Sequence, residues 1–517
     1  MRKQSLLGGT LVLFSSNLVN RILGFIYQIM IVSLIGSQGI GLFNMVYPIY
    51  ILVLVISSFG LPLAIAKFVA ENNQKDPAYS VYILRKSILI LLIFSTIITG
   101  ALYLSLDRIA PLFLTNQNAL PILKSLLLSV PVISVCSGFR GFFQGLLMMN
   151  APAISQFVEQ VVRVTCGLVF AYILVSKSIV WGAIGSSIGV IAGETIGFLV
   201  LLYFFLKWWK KNKRLALSLR KNTVTTKELI LFSWPVALSK IVATVLLSFE
   251  ATLIPRQLVK AGINLNEATS LFGQLSGMAI PILVIPSVLT SALATTLVPA
   301  ISEANSAGNI PLLRDRIKTS LFFTLLFGLP AVVIFYLFSA QICYLLFKQI
   351  NAGEALRILA FGGIFYYLQQ TTTGILQGLG QTKRPLENML WGSLVEIILL
   401  ITLVPIAVDP FKTACWAINV SFFITAILNI VFITKDLGFW SVIETKTIYL
   451  IPVILFMGFV AMKIYLLIFV IINSPTLSLI TSVGSAIITY ATLLIIFKIL
   501  PYEWLNRLNN YFFFLKK

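Results

Sequence analysis

Histidine is absent from the 517 residues of the sequence. Its absence excludes His-ligated metal sites, Ser-His-Asp and Cys-His nucleophiles, and histidine proton relays. Cysteine is scarce, and its four copies lack CxxC pairing, so we interpret them as small apolar side chains. They are Cys136, Cys166, Cys343 and Cys415. We therefore expect neither a metal nor a cofactor.

Charged residues are also few. They make up 11% of the sequence, against about a quarter in soluble domains, while 58% of residues are hydrophobic and the mean hydropathy is +0.98. Apolar runs of about 20 residues or more recur along the chain, and each is long enough to cross a bilayer as a helix. No short charged region with a cleavage site precedes the first run, so we expect no removable signal peptide.

The apolar runs predict an all-α polytopic membrane protein with about fourteen transmembrane helices. The predicted spans are 6–36, 39–70, 81–106, 120–147, 152–176, 181–206, 228–255, 269–301, 312–340, 355–379, 386–408, 412–434, 447–473 and 476–499.

The net charge of +21 follows from membrane topology. If the N-terminus is cytoplasmic, 24 of the 38 basic residues fall in cytoplasmic segments and eight in external ones. That bias fits the positive-inside rule with both termini cytoplasmic, and the basic surface would attract anionic lipid. We therefore expect no nucleic-acid partner.

An internal repeat divides the chain. The polar stretch 207–227 separates two groups of six spans, and GFFQGLLMMNAP (141–152) matches GILQGLGQTKRP (374–385) with a shift of 233 residues. The predicted organisation is a first lobe (1–206), a basic cytoplasmic linker (207–227), a second lobe (228–434), and two further spans with an amphipathic tail (435–517). Two similar lobes facing each other are typical of transporters that bind substrate near mid-membrane.

No segment outside the membrane is large enough to fold as a catalytic domain, and the external loops have about 15 residues or fewer. We therefore expect a protein that is not an enzyme.

The first span carries a polar stripe. Asn17, Asn20, Arg21, Gly24 and Gln28 share one helical face within an apolar run. Charged residues inside a membrane face the protein interior or a wet cavity. Arg21 therefore either pairs with a buried glutamate or lines a cavity, and the continuous stripe favours the cavity, with Asn17 and Gln28 as further lining residues.

Spans four and ten carry polar faces at matching positions of the repeat. They read Ser137, Arg140 and Gln144 in span four, and Gln370, Thr373 and Gln377 in span ten. Such groups suit sugar hydroxyls or hydrogen bonds between helices. We predict Arg140, Gln144, Gln370 and Gln377 as substrate-binding residues.

Other intramembrane charges have several interpretations. Glu159 lies four residues before Arg163, the favourable orientation within a helix, so we predict a structural pair. Lys240 begins a polar face of span seven and is a further cavity candidate. Glu194 and Glu250 are predicted to bind a coupling ion or to act as structural counter-ions.

The segments RILGFIYQIMIVSLIGSQGIGLFNMVYPIY, GLPLAIAKFVAE, RGFFQG and LVPAISEA resemble, in this order, the stage V sporulation protein B-like branch of the MOP superfamily. This branch belongs to the polysaccharide exporters and lipid II flippases. The resemblance covers residues 1 to about 440. It implies a V-shaped, two-lobed transporter in the bacterial plasma membrane that moves undecaprenyl-diphosphate-linked saccharides outward by alternating access, in cell-wall or spore-cortex synthesis.

The resemblance also implies a role for span one. The lipid II flippases of the group have R-x-L-G-F-x-R there, and both arginines line the cavity that receives the diphosphate. Here the first position is Arg21 and the second is Tyr27, and span eight lacks the arginine found in those relatives. Lys240, Arg140 and Lys67 are candidates for the missing charge.

The leading hypothesis is a flippase for a lipid-diphosphate-linked saccharide. The alternatives are multidrug efflux of cations on the same fold, a membrane glycan polymerase, and a scaffold of the cell-wall machinery. Expected partners are the lipid-linked oligosaccharide, membrane lipids and proteins of cell-wall synthesis, and we expect a monomer.

Overall fold

A computed structural model describes residues 6–72, 77–212, 226–438 and 444–499. Within these ranges the chain forms helices joined by short turns and contains no β-strand. The prediction of an all-α fold is confirmed. The chain divides into two compact units, Met1–Gly277 and Met278–Lys517, which are described separately below.

The first unit holds helices α1 to α9. They are α1 (Leu6–Ser58), α2 (Leu61–Asn72), α3 (Pro77–Phe113), α4 (Leu120–Leu127), α5 (Val130–Gly145), α6 (Asn150–Val175), α7 (Ile179–Asn212), α8 (Thr226–Lys260) and α9 (Leu265–Gln274). A π-helical turn, Leu275–Ala279, follows α9.

The second unit holds helices α10 to α17. They are α10 (Ile280–Val284), α11 (Ser287–Ser306), α12 (Ile310–Phe347), α13 (Ala352–Gly378), α14 (Arg384–Thr402), α15 (Pro410–Leu437), α16 (Thr447–Ile472) and α17 (Pro475–Ile496).

Eleven helices of the described ranges are long and apolar enough to cross a membrane, and a bent pair, Gln117–Leu127 with Val130–Gly145, makes a twelfth span. The sequence predicted fourteen spans, and this count of twelve is lower for two reasons. Spans one and two are counted as one segment, Ser15–Glu71, although Gly36 divides α1 between them. Span ten corresponds to α13, which has 27 residues and a length of about 40 Å but carries a polar Gln-Gln-Thr-Thr-Thr run.

Two glycines bend the first part of the chain. Gly36 has φ 68° and ψ −178° inside α1, a conformation that is unstrained only for glycine, so α1 kinks between the two predicted spans. Gly60, with φ 68°, lies in the turn between α1 and α2 and approaches the carbonyl oxygen of Ser233 on α8. A side chain at Gly60 would meet that backbone.

The two units have separate apolar cores. In the first, α2, α3, α5 and α7 bury a cluster that includes Leu61, Leu84 and Phe142. Phe142 also makes an edge-to-face contact with Trp208 of α7, with ring centroids 5.2 Å apart. In the second unit, α16 and α17 pack on α12 through a cluster that includes Leu326 and Met457.

The two segments that match in the sequence repeat end their helices in the same way. Helices α5 and α13 end 233 residues apart, at Gly145 and Gly378, and each is followed by a residue with positive φ: Leu147 at 56° and Gly380 at 82°. The N–H of each donates to a glutamine carbonyl three residues earlier at 3.0 Å. The same helix-ending turn therefore occurs at both matching positions of the repeat, and it also ends α8, α11 and α17.

Helices α6 and α7 pack with their backbones almost in contact. Gly185, Gly189, Gly193 and Gly197 form a stripe along α7, and a Cβ on Gly189 would lie 2.4 Å from the Cα of Gly167 on α6. Small residues four apart allow close approach of helices in membranes. The glycine stripe therefore sets the spacing of α6 and α7.

Replacing Gly189 by alanine should destabilise the protein by about 1–3 kcal/mol. The added methyl group would clash with the backbone of α6, which cannot move aside as a side chain can by changing its rotamer. Gly100 is the matched control, since it lies inside α3 and a Cβ there meets nothing within 4 Å. Gly100→Ala should be neutral or stabilising by up to about 1 kcal/mol. Thermal unfolding of the purified variants in detergent measures both, and equal melting temperatures for the two would contradict close packing at Gly189.

Candidate functional site

Four charged side chains of the first unit meet in a buried cluster, here called the charge quartet: Arg140, Glu159, Arg163 and Glu194. Glu159 accepts hydrogen bonds from both arginines, that from Arg163 Nη2 to Oε1 being 2.7 Å. Glu194 Oε1 accepts from Arg163 Nη2 at 2.7 Å, and its Oε2 lies 3.5 Å from Arg140 Nη2. The exposed fraction of each side chain is between 8% and 20%.

Three helices supply the charge quartet. Arg140 comes from α5, Glu159 and Arg163 lie one turn apart on α6, and Glu194 comes from α7. Glu194 directly follows Gly193, at which a Cβ would lie 2.7 Å from the carbonyl oxygen of Glu159. The glycine stripe therefore brings Glu194 within bonding distance of the arginines.

The quartet has no net formal charge, because two carboxylates face two guanidinium groups. An isolated charge in this environment would be costly, whereas paired and hydrogen-bonded charges are tolerated. Each glutamate contacts both arginines, so the removal of one member leaves a buried residual charge. Arg140 Nε and Arg163 Nε have no hydrogen-bond partner within the described part of the chain.

The polar face of α1 lies beside α6. Asn17 and Arg21 are exposed, whereas Asn20 and Gln28 are half-buried. Ser16 Oγ donates to the carbonyl of Ala153 at 3.1 Å, and a Cβ on Gly24 would lie 3.6 Å from Gln160 Nε2. The stripe predicted from the sequence therefore runs partly along the α1–α6 contact.

Gln28 lies at the C-terminal end of the polar face of α1. Its Nε2 donates to the carbonyl oxygen of Gly277 at 2.8 Å, in the π-helical turn after α9. In a π-helix the backbone hydrogen bonds join residues five apart, one more than in an α-helix, and such turns often occur at functional sites. Gln28 therefore links the polar face of α1 to Gly277, the last residue of the first unit.

Tyr27 has a packing role in the structure. Its ring covers Gly167 of α6, where a Cβ would lie 2.7 Å from the Tyr27 hydroxyl oxygen. Tyr27 points about 120° away from Arg21 around the helix axis. The aromatic residue at the second motif position thus packs against α6 and adds no charge to the polar face.

The remaining candidates of the first unit lie on α5 and α8. Gln144 is half-buried one turn after Arg140, Lys240 is exposed on α8, and Glu250 is half-buried on the same helix. Thr244 lies on the same helical face as Lys240, and its hydroxyl donates to the backbone carbonyl of Lys240 at 2.7 Å. Binding roles for Gln144, Lys240 and Glu250 stay predictions.

Two candidates lie in the second unit, on α13. Gln370 is half-buried and Gln377 is exposed. Beside them a neutral buried network runs from Asn388 Nδ2 to Asn429 Oδ1 at 2.8 Å and from Asn429 Nδ2 to Thr372 Oγ1 at 3.0 Å. Helices α13, α14 and α15 are therefore joined by amides and a hydroxyl, whereas α5, α6 and α7 are joined by charges.

An apolar cavity of about 420 Å³ lies between α1, α3 and α8 in the first unit, lined by residues such as Val53, Leu102 and Phe249. None of the residues predicted to bind substrate lines it. Its surface offers few hydrogen-bonding groups, so this cavity does not suit a charged or sugar-bearing group.

Sequence comparison identifies related proteins. Residues 6–305 match the family described as Polysaccharide biosynthesis protein, and residues 275–402 match the MatE family. The chain is 30% identical over 513 residues to the stage V sporulation protein B of Bacillus subtilis (strain 168), with 98% of each chain covered. It is 27% identical over 489 residues to the lipid II flippase MurJ of the same strain, covering 89% of this chain and 88% of the relative.

Solved structures show the same fold. The lipid II flippase MurJ in an inward closed conformation has a TM-score of 0.70 at 18% identity, covering 94% of this chain and 98% of that one. An inward-facing multidrug resistance MATE family transporter of the MOP superfamily has a TM-score of 0.66 at 14% identity, covering 81% and 94%.

The resemblance predicted from the motifs of α1, α2, α5 and α11 is confirmed. With a family match over residues 6–305 and 30% identity along nearly the whole of a relative, the chain belongs to the polysaccharide biosynthesis protein family.

Proposed function

We propose that this multi-pass membrane transporter moves a saccharide linked to a lipid diphosphate from the inner to the outer face of the membrane. The proposal extends to this chain the activity of one of its relatives, which is a lipid II flippase. The charges of the first unit supply a physical argument of their own.

The observation that carries the proposal is the distribution of intramembrane charge. Glu159 and Glu194 are both neutralised by arginines in the charge quartet, so neither carboxylate is left to attract a cationic substrate. Arg21 is exposed and lies on a face that also carries Asn17. At the charge quartet and the polar face of α1, this arrangement favours an anionic ligand over a cation.

The residue types on this face suit the two parts of the proposed substrate. A guanidinium group binds phosphate oxygens through two parallel hydrogen bonds, and such bonds to charged groups are stronger than neutral ones. Neutral amides both donate and accept hydrogen bonds, as sugar hydroxyls require. We assign the diphosphate to Arg21 and sugar hydroxyls to Asn17 and Gln28, which lie about one turn before it and two turns after it on the helix.

Replacing Arg21 by alanine should lower transport at least about tenfold, because a charge-assisted phosphate contact is lost. Arg21→Lys should retain part of the rate, since it keeps the charge without the two-pronged geometry. The measurement is translocation of a fluorescent undecaprenyl-diphosphate-linked saccharide in vesicles containing the purified full-length protein.

Lys463→Ala is the matched control for Arg21. Lys463 is an exposed basic residue within α16, in the second unit, and its ammonium group lies 5.6 Å from the ring centroid of Phe459. This variant should transport normally. Equal rates for Arg21→Ala and Lys463→Ala would remove Arg21 from the mechanism.

Efflux of cationic drugs is the second candidate function, because residues 275–402 match the MatE family and a multidrug transporter shares the fold. The same vesicles test it. Uptake of a cationic dye that is unaffected by Arg21→Ala, without movement of the lipid-linked saccharide, would support drug efflux and exclude the proposal.

We infer that Glu194 is a structural counter-ion and does not bind a coupling ion. Glu194→Gln should destabilise the protein by about 3 kcal/mol, because a buried positive charge remains. Adding Arg163→Gln removes that charge and leaves the Arg140–Glu159 pair, so the double variant should be more stable than the sum of the single effects by about 1–3 kcal/mol. Thermal unfolding of the four proteins gives the coupling energy, and strictly additive losses would contradict this role.

We propose that both termini are cytoplasmic, as the basic residues at 207–227 favour. The ends of α7 and α8 should then lie on opposite sides of the membrane. Reporter fusions after Asn212 should be active only with a cytoplasmic reporter, and fusions after Lys260 only with an external one. The reverse pattern would invert the topology.

A further inference from the structure

A basic pocket lies in the second unit at the turn between α13 and α14, beside the end of α15. It has a volume of about 520 Å³ and is lined by Gly380, Gln381, Thr382, Lys383, Arg384, Glu387, Phe432 and Lys435. We call it the turn pocket. None of its residues belongs to the substrate site proposed above.

The turn pocket lies at the boundary between membrane and water. Two spanning segments end there, Arg384–Ile406 at its first residue and Pro410–Lys435 at its last. The headgroups of lipids occupy this level of a bilayer. The position holds for either orientation of the chain.

Charge in the turn pocket is predominantly positive. Lys383 and Lys435 are exposed, and neither has an ion-pair partner within the described ranges. Arg384 is held in place by two contacts: its Nη1 donates to Glu387 Oε2 at 2.8 Å, and its guanidinium carbon lies 4.5 Å from the ring centroid of Phe432. One arginine is thus oriented in advance, and two lysines remain available.

The fold itself does not require these charges. The equivalent turn of the first unit, between α5 and α6, has the same backbone bonds but no basic side chain, with Leu146, Met148 and Ala151 buried in the core. In the second unit the position of Ala151, 233 residues on, is Arg384. Buried side chains of the protein fill the turn after α5, whereas the turn after α13 lines an open pocket with basic side chains.

We propose that the turn pocket binds the phosphate headgroup of an anionic membrane phospholipid. Clusters of basic residues between membrane helices at the interface attract such headgroups. The side-chain carbonyl oxygen of Gln381 is buried and has no partner among the described residues, so it offers an acceptor for a headgroup hydroxyl. A headgroup that carries both a phosphate and hydroxyls, such as phosphatidylglycerol, fits this set.

The test is a titration of the purified full-length protein in detergent with phosphatidylglycerol or phosphatidylcholine, followed by native mass spectrometry. We expect one phosphatidylglycerol to bind preferentially. The triple variant Lys383→Gln, Arg384→Gln, Lys435→Gln should bind it about a hundredfold more weakly, at about fivefold for each basic residue.

The matched control removes the same charge at another helix end. Lys207, Lys210 and Lys211 are exposed at the end of α7, and none of them lines the turn pocket. Their triple replacement by glutamine should leave the preferential binding of phosphatidylglycerol unchanged. An equal loss in both triple variants would mean that bulk charge attracts the lipid, and would overturn the turn pocket as a site.

Glu387 provides a test of opposite sign. Among the described residues that line the pocket, Glu387 is the only acidic one; Glu387→Gln removes it and frees Arg384, so phosphatidylglycerol should bind several-fold more tightly. Loss of folding cannot produce this gain. Unchanged or weaker binding in Glu387→Gln would contradict the proposal.

Two further arms identify the source of the phosphate. Soluble glycerol phosphate that binds as tightly as the lipid would overturn the assignment to a membrane headgroup. Displacement of one phosphatidylglycerol by one molecule of the lipid-diphosphate-linked saccharide would make the turn pocket a substrate site and would also overturn it. The inference survives failure of the proposed transport function, because lipid binding is measured without transport.

Discussion

The close contact between α6 and α7 is the constraint on which the first unit depends. Gly189 and Gly193 leave no room for side chains between the two backbones, and this contact brings Glu194 to the arginines. Close helix packing and charge neutralisation therefore support each other. Glu194 would be an unpaired buried charge if the helices separated, and the helices lose a bridge if Glu194 is replaced.

In the second unit, neutral polar groups join the packed helices. Asn388, Asn429 and Thr372 connect α14, α15 and α13 through two hydrogen bonds. Amides and hydroxyls cost less to bury than charges, and losing one leaves no residual charge. The turns after α5 and α13 therefore share their backbone bonds, while the polar side chains that join the neighbouring helices differ.

Much of this organisation follows from sequence pattern. Hydrophobic length predicts the helices, and the spacing of Glu159 and Arg163 predicts that their side chains are near one another. The partners of Glu194 were not predicted, because they lie on other helices and depend on how closely these approach. The stripe Gly185, Gly189, Gly193 was a signal for that approach, since small residues at intervals of four mark helix contacts in membranes. The bond from Gln28 to Gly277 involves a backbone carbonyl, which no side-chain pattern reveals.

The charge quartet has a mechanical consequence for the helices that it joins. Each glutamate bridges arginines from two different helices, so α5, α6 and α7 cannot slide past one another without breaking several bonds in a medium of low dielectric constant. These three helices therefore move as one stiff block. We expect the chain to bend at Gly36 and Gly60, which lie at the two ends of the second half of α1. The backbone already departs from helical geometry at both glycines.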